Sequence, residues 1–242
     1  MLDKFPKTRP KLPKKIKKIH SVHYKLNRKG QTTATSLAQR MESWMHRQVA
    51  KDLIDDPYDI KKTTLEVGAG TLNQLEYEPK VGPYDIVEPW SDIFANSSHL
   101  KRVRNIYSDI SEVPVSFKYD RITTVATFEH ICNLPDVVAR CGLLLKNNGA
   151  LRVSIPSEGT LLWKLGWKLT TGLEFKLKYG QNYELIMKHE HVNTAREIED
   201  VLGSFFKDIK YKVFGINKSI SFYRFYECLN PRIEKCLEFG EQ

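Results

Sequence analysis

The sequence predicts a doubly wound α/β fold, in which parallel strands alternate with helices. An apolar run at residues 63–67 stops at a turn that contains two glycines, Gly68 and Gly70. A second apolar run ends at Glu88, one helix and one strand further along the chain. Glycine lets the backbone approach a ligand closely, and nucleotide-type cofactors bind at such strand ends with the second acid on the ribose hydroxyls.

Apolar runs separated by turn signals predict seven strands. They lie at residues 63–67, 84–88, 105–107, 121–126, 150–155, 209–214 and 219–227. The helix after the first strand must be short, because Pro79, Gly82 and Pro83 would interrupt a longer one. Ser91 is predicted to cap a helix that runs toward Leu100.

Three further helices are predicted from their caps and apolar faces. The first begins at Ser36, which forms a capping-box pattern with Gln39, and ends before Pro57. The second has Pro135 in its first turn, and the third begins with a capping box at Thr194. Their buried residues recur at helical spacing. They are Leu37, Met41, Trp44, Met45, Val49 and Leu53, then Val137, Val138, Cys141, Leu144 and Leu145, and finally Ile198, Val201 and Leu202.

Length and charge predict one domain with a basic arm. Residues 31–242 fit a single domain, with a substrate-side insertion at residues 160–190 that is too long for a plain connection. Residues 1–30 hold 11 of the 38 lysines and arginines and one acid, so the arm carries +10. The remaining 27 basic and 28 acidic residues leave the body at −1. Three prolines and little apolar periodicity predict an arm that is poorly ordered up to about Lys14.

Composition argues against secreted and membrane-spanning classes. The N-terminus lacks the apolar segment of a secretory signal, and no run approaches the roughly 20 apolar residues that span a bilayer. The cysteines Cys132, Cys141, Cys228 and Cys236 have no metal-type spacing. They are typical of reduced thiols, and we expect a cytoplasmic protein.

Four segments at predicted strand ends carry the most specific signal. Residues 65–71 read Leu-Glu-Val-Gly-Ala-Gly-Thr. Asn73 stands where a dinucleotide fingerprint needs a third glycine, and Glu66 would repel a diphosphate, so NAD and FAD are disfavoured. The first segment resembles the first motif of class I S-adenosylmethionine (SAM) dependent methyltransferases. Residues 106–110, 119–130 and 143–153 are similar to the family's third, fourth and fifth strand regions.

This resemblance implies a Rossmann-like sheet of seven mostly parallel strands, with helices on both faces and an antiparallel last strand. It implies SAM as the cofactor, with the helix after Ser36 packed across the cofactor cleft. Glu66 suits a cofactor with a cationic amino acid end, Glu88 would bind the ribose, and Asp109 the adenine amino group. The predicted cofactor residues are Glu66, Gly68, Ala69, Gly70, Glu88, Pro89, Ser108, Asp109, Ile110 and Thr127.

The predicted catalytic residues are His130, Glu129 and His191. A neutral hydroxyl acceptor needs a base, and histidine titrates near neutral pH. His130 follows the fourth strand, and His189 and His191 close the insertion, while Glu129 would orient His130 or contact the acceptor. A structural histidine that holds the turn is the alternative for His130. Two histidines around Glu190 could bind a metal, but no third ligand lies at nearby spacing, so no metal is predicted.

The acceptor is predicted to be a small molecule or a sugar-linked compound. The chain lacks the Asp/Asn-Pro-Pro-aromatic sequence of exocyclic-amine nucleic-acid enzymes and the Pro-Cys nucleophile of cytosine C5 enzymes. Residues 71–75 and 156–172 resemble methyltransferases of bacterial surface-polysaccharide biosynthesis, which implies a sugar-linked hydroxyl made on the cytoplasmic side. Trp163 and Trp167 could stack on sugar rings or simply pack in the core.

Two alternatives stay open from the sequence. One is an RNA methyltransferase that uses the basic arm as its electrostatic footprint. The other is a non-catalytic protein with a SAM-binding fold, which contacts a partner or an anionic membrane surface through the arm and the tryptophan-rich segment.

Overall fold

The computed structural model describes residues 2–17, 19–20, 36–55, 61–80 and 82–240, the side chains of residues 36–40 and 240 excepted. Seven strands form one sheet in the order β3-β2-β1-β4-β5-β7-β6. They are β1 (Thr64–Val67), β2 (Tyr84–Val87), β3 (Asn105–Tyr107), β4 (Tyr119–Val125), β5 (Leu145–Pro156), β6 (Phe206–Gly215) and β7 (Ser221–Pro231).

Strand direction matches the predicted Rossmann-like sheet. β1 pairs in parallel with β2 and β4, β2 with β3, and β4 with β5. β7 runs antiparallel to both β5 and β6. Val87 lies opposite Val67 on one side and Tyr107 on the other, so the carboxyl ends of β1, β2 and β3 share one edge.

The helices cover both faces of the sheet. α2 (Leu134–Leu144), α6 (Ala195–Phe205) and α7 (Ile233–Gly240) contact one another and enclose the main core with Leu65, Ile122 and Val153. α1 (Ser36–Ile54) lies against β4, β5 and β7 on the opposite face. The predicted buried faces of α2 and α6 are confirmed. The Thr194 capping box is also formed, with Glu197 as its partner.

The predicted insertion is helical. α3 (Leu161–Trp167) and α4 (Leu173–Tyr179) are joined by a π-helical turn, Lys168–Gly172, and α5 (Glu184–Glu190) follows. None of the described helices has both the length and the apolar composition needed to cross a bilayer.

The predicted helix from Ser91 to Leu100 is wrong. Two short 3-10 turns, Ser91–Ile93 and Leu100–Arg102, stand in its place, and no side chain caps the first. The side chain of Arg102 donates to the carbonyl of Pro79 at 2.6 Å. This bond holds the segment after β2 against the segment that follows β1. The short helix expected after β1 is present as a 3-10 turn, Asn73–Glu76. The predicted Ser36 cap and Pro57 stop fall outside the described residues or side chains.

The basic arm is docked along residues 2–17, which differs from the predicted loose tail. The backbone N–H of Lys7 donates to the carbonyl of Cys132 at 2.8 Å. Ile16 is buried against Phe175 and Ile186 of the insertion. Proline favours extended backbone, so the segment can lie along the body while its basic side chains reach carbonyl and carboxylate oxygens. Residues 21–30 lie outside the described residues.

Candidate active site

The turn after β1 depends on glycine. Gly68 has a φ of 74° and Gly70 a φ of 53°, and Leu72 also adopts a positive φ of 68°. A Cβ on Gly68 would lie 2.3 Å from Cγ2 of Thr127, so no larger residue fits without displacing the tip of β4. The first and fourth strand ends are therefore in direct contact at this turn.

Glu88 lies beside the same turn, as its spacing predicts. Its Oε2 accepts the backbone N–H of Gly70 at 2.8 Å, and its Oε1 accepts that of Trp90 at 3.1 Å. A carboxylate has about four acceptor sites, so these two bonds leave capacity for ribose hydroxyls. The carboxylate thus links the turn after β1 to the end of β2.

The predicted adenine residues follow β3 at the same edge. Glu88 donates its backbone N–H to the carbonyl of Tyr107 at 2.8 Å, which aligns the ends of β2 and β3. Asp109 is exposed, and its Oδ1 accepts the N–H of Ser111 at 2.9 Å. Ser108 and Pro89 are exposed nearby in the chain, whereas the side chains of Ile110 and Ala69 are buried in the core.

Glu66 does not face the cleft as an open carboxylate, which corrects the sequence prediction. Its side chain is 2% exposed, and its Oε2 accepts the hydroxyl of Tyr84 at 2.8 Å. Burial, together with the nearby charges of Glu78 and Glu88, raises the pKa of Glu66 well above its ordinary value. Because strand residues alternate between faces, Glu66 lies on the face that also carries Arg121 of β4.

A buried ionic network behind the turn was missed by the sequence analysis. Arg121 is 1% exposed, and its guanidinium lies 3.0 Å from Oε1 of Glu78 and 2.8 Å from Oδ2 of Asp52. Arg152 lies 3.2 Å from Oδ1 of Asp52 and donates to the carbonyl of Val49 at 2.9 Å. The network fixes α1 to β4 and β5. Its signal was the alternation of a polar residue with an apolar one that begins at Arg121 in β4 and that surrounds Arg152 in β5.

The three predicted catalytic residues meet at the tip of β4. One candidate ligand atom from each of Glu129, His130 and His191 lies within 4.8 Å of the others. Nε2 of His130 is 3.8 Å from Oε1 of Glu129, and the two imidazole rings are 5.0 Å apart in an edge-to-face arrangement. Thr127, which contacts Gly68, stands two residues earlier, so the cluster borders the predicted cofactor turn.

Asn193 holds the cluster together, and the sequence analysis missed it. Its side-chain amide donates to the carbonyls of Phe128 at 2.8 Å and Ile131 at 2.7 Å. The backbone N–H groups of Val192 and Asn193 both donate to the carbonyl of Glu129, at 2.8 and 3.1 Å. These bonds bring the segment after α5 against the segment after β4. In the sequence, the only local indication of this role was the position of Asn193, two residues after His191.

Both cluster histidines have an acceptor at Nδ1. The carbonyl of Glu190 is 2.9 Å from Nδ1 of His130, and Oε2 of Glu158 is 2.8 Å from Nδ1 of His191. Burial alone would lower the pKa of His191. The hydrogen bond to Glu158 and the nearby carboxylates, including Glu129, outweigh burial and raise that pKa.

His189 points away from the cluster. Its Nδ1 is 2.7 Å from the carbonyl of Pro10 in the arm, which removes it from the candidate bases. Arg9 donates to the carbonyls of His130 at 2.5 Å and His189 at 3.0 Å. The arm therefore supports the outer side of the cluster through backbone oxygens.

Trp163 of the insertion and Tyr223 of β7 form an aromatic wall beside the cluster. Nε1 of Trp163 donates to Oε2 of Glu158 at 2.6 Å, and its ring lies 6.4 Å from that of His191 in a stacked arrangement. Tyr223 contacts Trp163 at 5.6 Å between ring centroids. Trp167 lies 6.0 Å from Tyr183 within the insertion itself.

A large hollow of about 1400 Å³ lies elsewhere on the molecule. Asp120, Lys146 and Ala150 line it, and these residues belong to the amino-terminal parts of β4 and β5. Ligands of open parallel sheets bind at the carboxyl ends of strands, so the strand ends at Gly68 and Glu88 are the candidate active site and this hollow is not.

Comparisons with known proteins identify the fold. No protein-family model matches the chain, and no curated protein matches its sequence. Among solved structures, the plantazolicin methyltransferase BpumL, in complex with a monoazolic desmethylPZN analog and SAH, is 16% identical with a TM-score of 0.56, over 88% of this chain and 90% of that one. NodS, an N-methyltransferase from Bradyrhizobium japonicum WM9, is 12% identical with a TM-score of 0.53, over 83% and 100%.

A third match is a SAM-dependent methyltransferase from Archaeoglobus fulgidus, 14% identical with a TM-score of 0.53, over 76% of this chain and 93% of that one. The matches also include a carbon methyltransferase and an O-methyltransferase family protein. Because the sequence identities are this low, the similarity concerns the fold alone. This chain therefore has the fold of SAM-dependent methyltransferases.

Proposed function

We propose that this chain binds SAM at the carboxyl ends of β1 and β2 and transfers its methyl group to a small-molecule acceptor. The observation that carries the proposal is the glycine turn joined to Glu88 through the Gly70 N–H, in a sheet with this strand order. The ribose hydroxyls donate to Glu88, and the adenine lies toward Asp109. Gly68 admits the cofactor close to the backbone.

The methyl acceptor binds between the cofactor and the cluster of Glu129, His130 and His191. The S–CH₃ bond breaks as the acceptor–CH₃ bond forms, and the sulfonium leaves as a neutral thioether. The fold is shared by N-, O- and carbon methyltransferases, so the cluster decides our choice of a hydroxyl. A hydroxyl must lose its proton during attack, and imidazole and carboxylate groups serve that need.

The acceptor is a sugar-linked hydroxyl in our proposal, as in surface-polysaccharide biosynthesis in the cytoplasm. The aromatic wall of Trp163 and Tyr223 supports a sugar, because aromatic faces pack on the apolar faces of sugar rings. All four cysteines carry free thiols, which supports a reducing compartment. Methyl transfer from labelled SAM to nucleotide sugars, lipid-linked sugars and RNA separates these acceptors. SAM binding without transfer to any of them would favour the non-catalytic alternative.

Replacing Glu88 with alanine should weaken SAM binding about tenfold to a hundredfold. A hydrogen bond to a charged group contributes about 1.5 to 3 kcal/mol, and the ribose would lose its acceptor. Calorimetric titration of SAM measures the effect, and thermal unfolding checks that the turn is intact. Glu76→Ala removes a nearby acid whose side chain is exposed, and it should bind SAM like the parent protein. Equal affinity of both variants would contradict the role of Glu88.

The insertion also carries an exposed apolar surface, which we name the leucine face. It consists of Leu161, Leu165, Leu169, Leu173 and Leu177, every fourth residue of α3, the π-helical turn and α4. These side chains are 46 to 79% exposed. Exposed lysines accompany them in the same helices, and Ile16 brings the basic residues around it against Phe175 of α4.

We propose that the leucine face contacts an anionic membrane surface. A helical face rich in leucine and bordered by lysines is typical of segments that lie in the membrane interface. Each lysine near an anionic surface contributes about 1 kcal/mol of attraction. Such contact would bring the active site to lipid-linked sugars.

The double variant Leu169→Ser/Leu177→Ser should bind anionic vesicles about tenfold or more weakly than the parent, because two apolar side chains leave the interface. Co-sedimentation with phosphatidylglycerol vesicles measures it, with phosphatidylcholine vesicles as the neutral comparison. Ile216→Ser removes an equally exposed residue, 80%, from the turn between β6 and β7 and should leave binding unchanged. A parent protein that ignores anionic vesicles would overturn the membrane proposal and leave the SAM proposal untouched.

A further inference from the structure

The cluster at the tip of β4 has the composition of a metal site. Glu129 is 1% exposed, and its Oε2 is buried without a hydrogen-bond partner among the described residues. A buried carboxylate oxygen that lacks a partner is costly, and native structures nearly always satisfy such atoms. Two imidazoles lie beside this carboxylate. Nε2 of His130 is 3.8 Å from its Oε1, and one candidate ligand atom from each of the three residues lies within 4.8 Å of the others.

The orientation of the imidazoles supports the same conclusion. The atom facing Nδ1 of His130 is a backbone carbonyl, that of Glu190, which can only accept a hydrogen bond. Nδ1 of His191 faces the carboxylate of Glu158. Both rings therefore carry a proton on Nδ1 in their neutral form, and each keeps the lone pair of Nε2. A carbonyl or carboxylate behind each histidine is the usual second layer of a metal site.

We infer that Glu129, His130 and His191 bind one divalent transition-metal ion. Two imidazole nitrogens and one carboxylate oxygen suit Zn²⁺ and its neighbours Co²⁺, Fe²⁺ and Mn²⁺. Two atoms that bind one ion at about 2.0 to 2.2 Å lie at most about 4.4 Å apart, so the cluster closes with small side-chain shifts. The sequence did not predict a metal, because the first two ligands lie about 60 positions before His191 and only the fold unites them.

Three protein ligands leave a coordination position for a substrate. This part of the inference rests on the proposed function: the acceptor hydroxyl would occupy that position, between Trp163 and the cofactor turn. A metal-bound hydroxyl gives up its proton to solvent more readily than a free one, because the positive charge stabilises the alkoxide. With the histidines bound to the ion as ligands, the acceptor would lose its proton to solvent, and neither histidine would need to act as a free base.

Co²⁺ titration of the untagged full-length protein, freed of metal with EDTA, tests the site. One Co²⁺ per chain should bind and give visible ligand-field bands, and Zn²⁺ should displace it. Glu129→Gln and His191→Ala should abolish these bands. His189→Ala removes a histidine of the same segment that faces Pro10, and it should leave them unchanged.

Glu158→Gln tests the positioning role of the carboxylate behind His191. Co²⁺ affinity should fall about 10- to 100-fold, because such partners orient the ring and raise its basicity. Zn²⁺ should also raise the unfolding temperature of the parent protein and not that of Glu129→Gln. The increase in the parent is a second measurement of metal binding, and it does not require a variant to fold well. The proposed metal site would be contradicted if the parent protein gave no Co²⁺ bands. It would also be contradicted if the bands were lost in His189→Ala and kept in Glu129→Gln and His191→Ala. SAM titration of the same sample distinguishes this outcome from failure of the proposed function.

Discussion

Replacing Arg121 with methionine should lower the free energy of unfolding by about 3 to 5 kcal/mol. The side chain of Arg121 is almost fully buried, and its guanidinium serves both Glu78 and Asp52. It also donates to the carbonyl of Val49 at 3.1 Å, which ties α1 to β4. Methionine fills much of the volume but leaves the carboxylate of Glu78 buried and without its charge partner. This unpaired buried charge accounts for most of the expected loss in the free energy of unfolding.

Urea denaturation measures this loss. Lys146→Met is the matched control, because Lys146 pairs with Asp120, the neighbour of Arg121, on the exposed surface. Exposed pairs contribute about 0 to 1 kcal/mol, so this variant should be nearly neutral. Removing both charges in Arg121→Met/Glu78→Leu should recover part of the loss. Equal effects of Arg121→Met and Lys146→Met would contradict the network as a determinant of stability.

Replacing Asn193 with aspartate should cost at least about 1 to 3 kcal/mol of stability. The side chain keeps its size but loses the amide that donates to the carbonyls of Phe128 and Ile131. The carbonyl of Phe128 keeps the backbone N–H of Ile131 at 3.4 Å, whereas the carbonyl of Ile131 loses its amide donor. A new carboxylate would also face two carbonyl oxygens close to Glu129, which adds repulsion.

The effect of Asn193→Asp should concentrate on the histidine cluster. The segment that carries His191 would separate from Glu129, so Co²⁺ binding and methyl transfer should fall more than SAM affinity. Asn182→Asp is the control, because its side-chain oxygen only accepts the N–H of Glu184 and aspartate can do the same. Parallel Co²⁺ and SAM titrations of the two variants measure the difference. Unchanged Co²⁺ binding in a folded Asn193→Asp protein would show that the segment is held by other contacts.

Local signals in the sequence determined most of the sheet and its cofactor edge. The third strand was predicted at residues 105–107, where the structure has it. The cap at Thr194 and the turn at Gly68 were also predicted. A capping bond joins residues only three positions apart, and a positive φ is a property of a single residue. Such signals act between residues that are neighbours in the chain, so they can be read without knowing the fold.

The predictions that failed concern partners far apart in the chain. Glu66 was expected to line the cofactor site, but its carboxylate is buried and accepts the hydroxyl of Tyr84. The arm was expected to be poorly ordered on the basis of its composition. Composition does not reveal that its basic side chains bind backbone carbonyls of the folded domain. The helix after Ser91 gave way to the contacts of Arg102.

The histidine cluster shows the same division most clearly. The sequence by itself determined which residue types stand after β4 and after α5, and it named Glu129, His130 and His191 as candidates. Only the tertiary structure decided that they lie together, because the bonds of Asn193 and of the Glu129 carbonyl join segments about 60 residues apart. The energy of such bonds depends on burial and on exact geometry, and both are set by the packing of the whole chain.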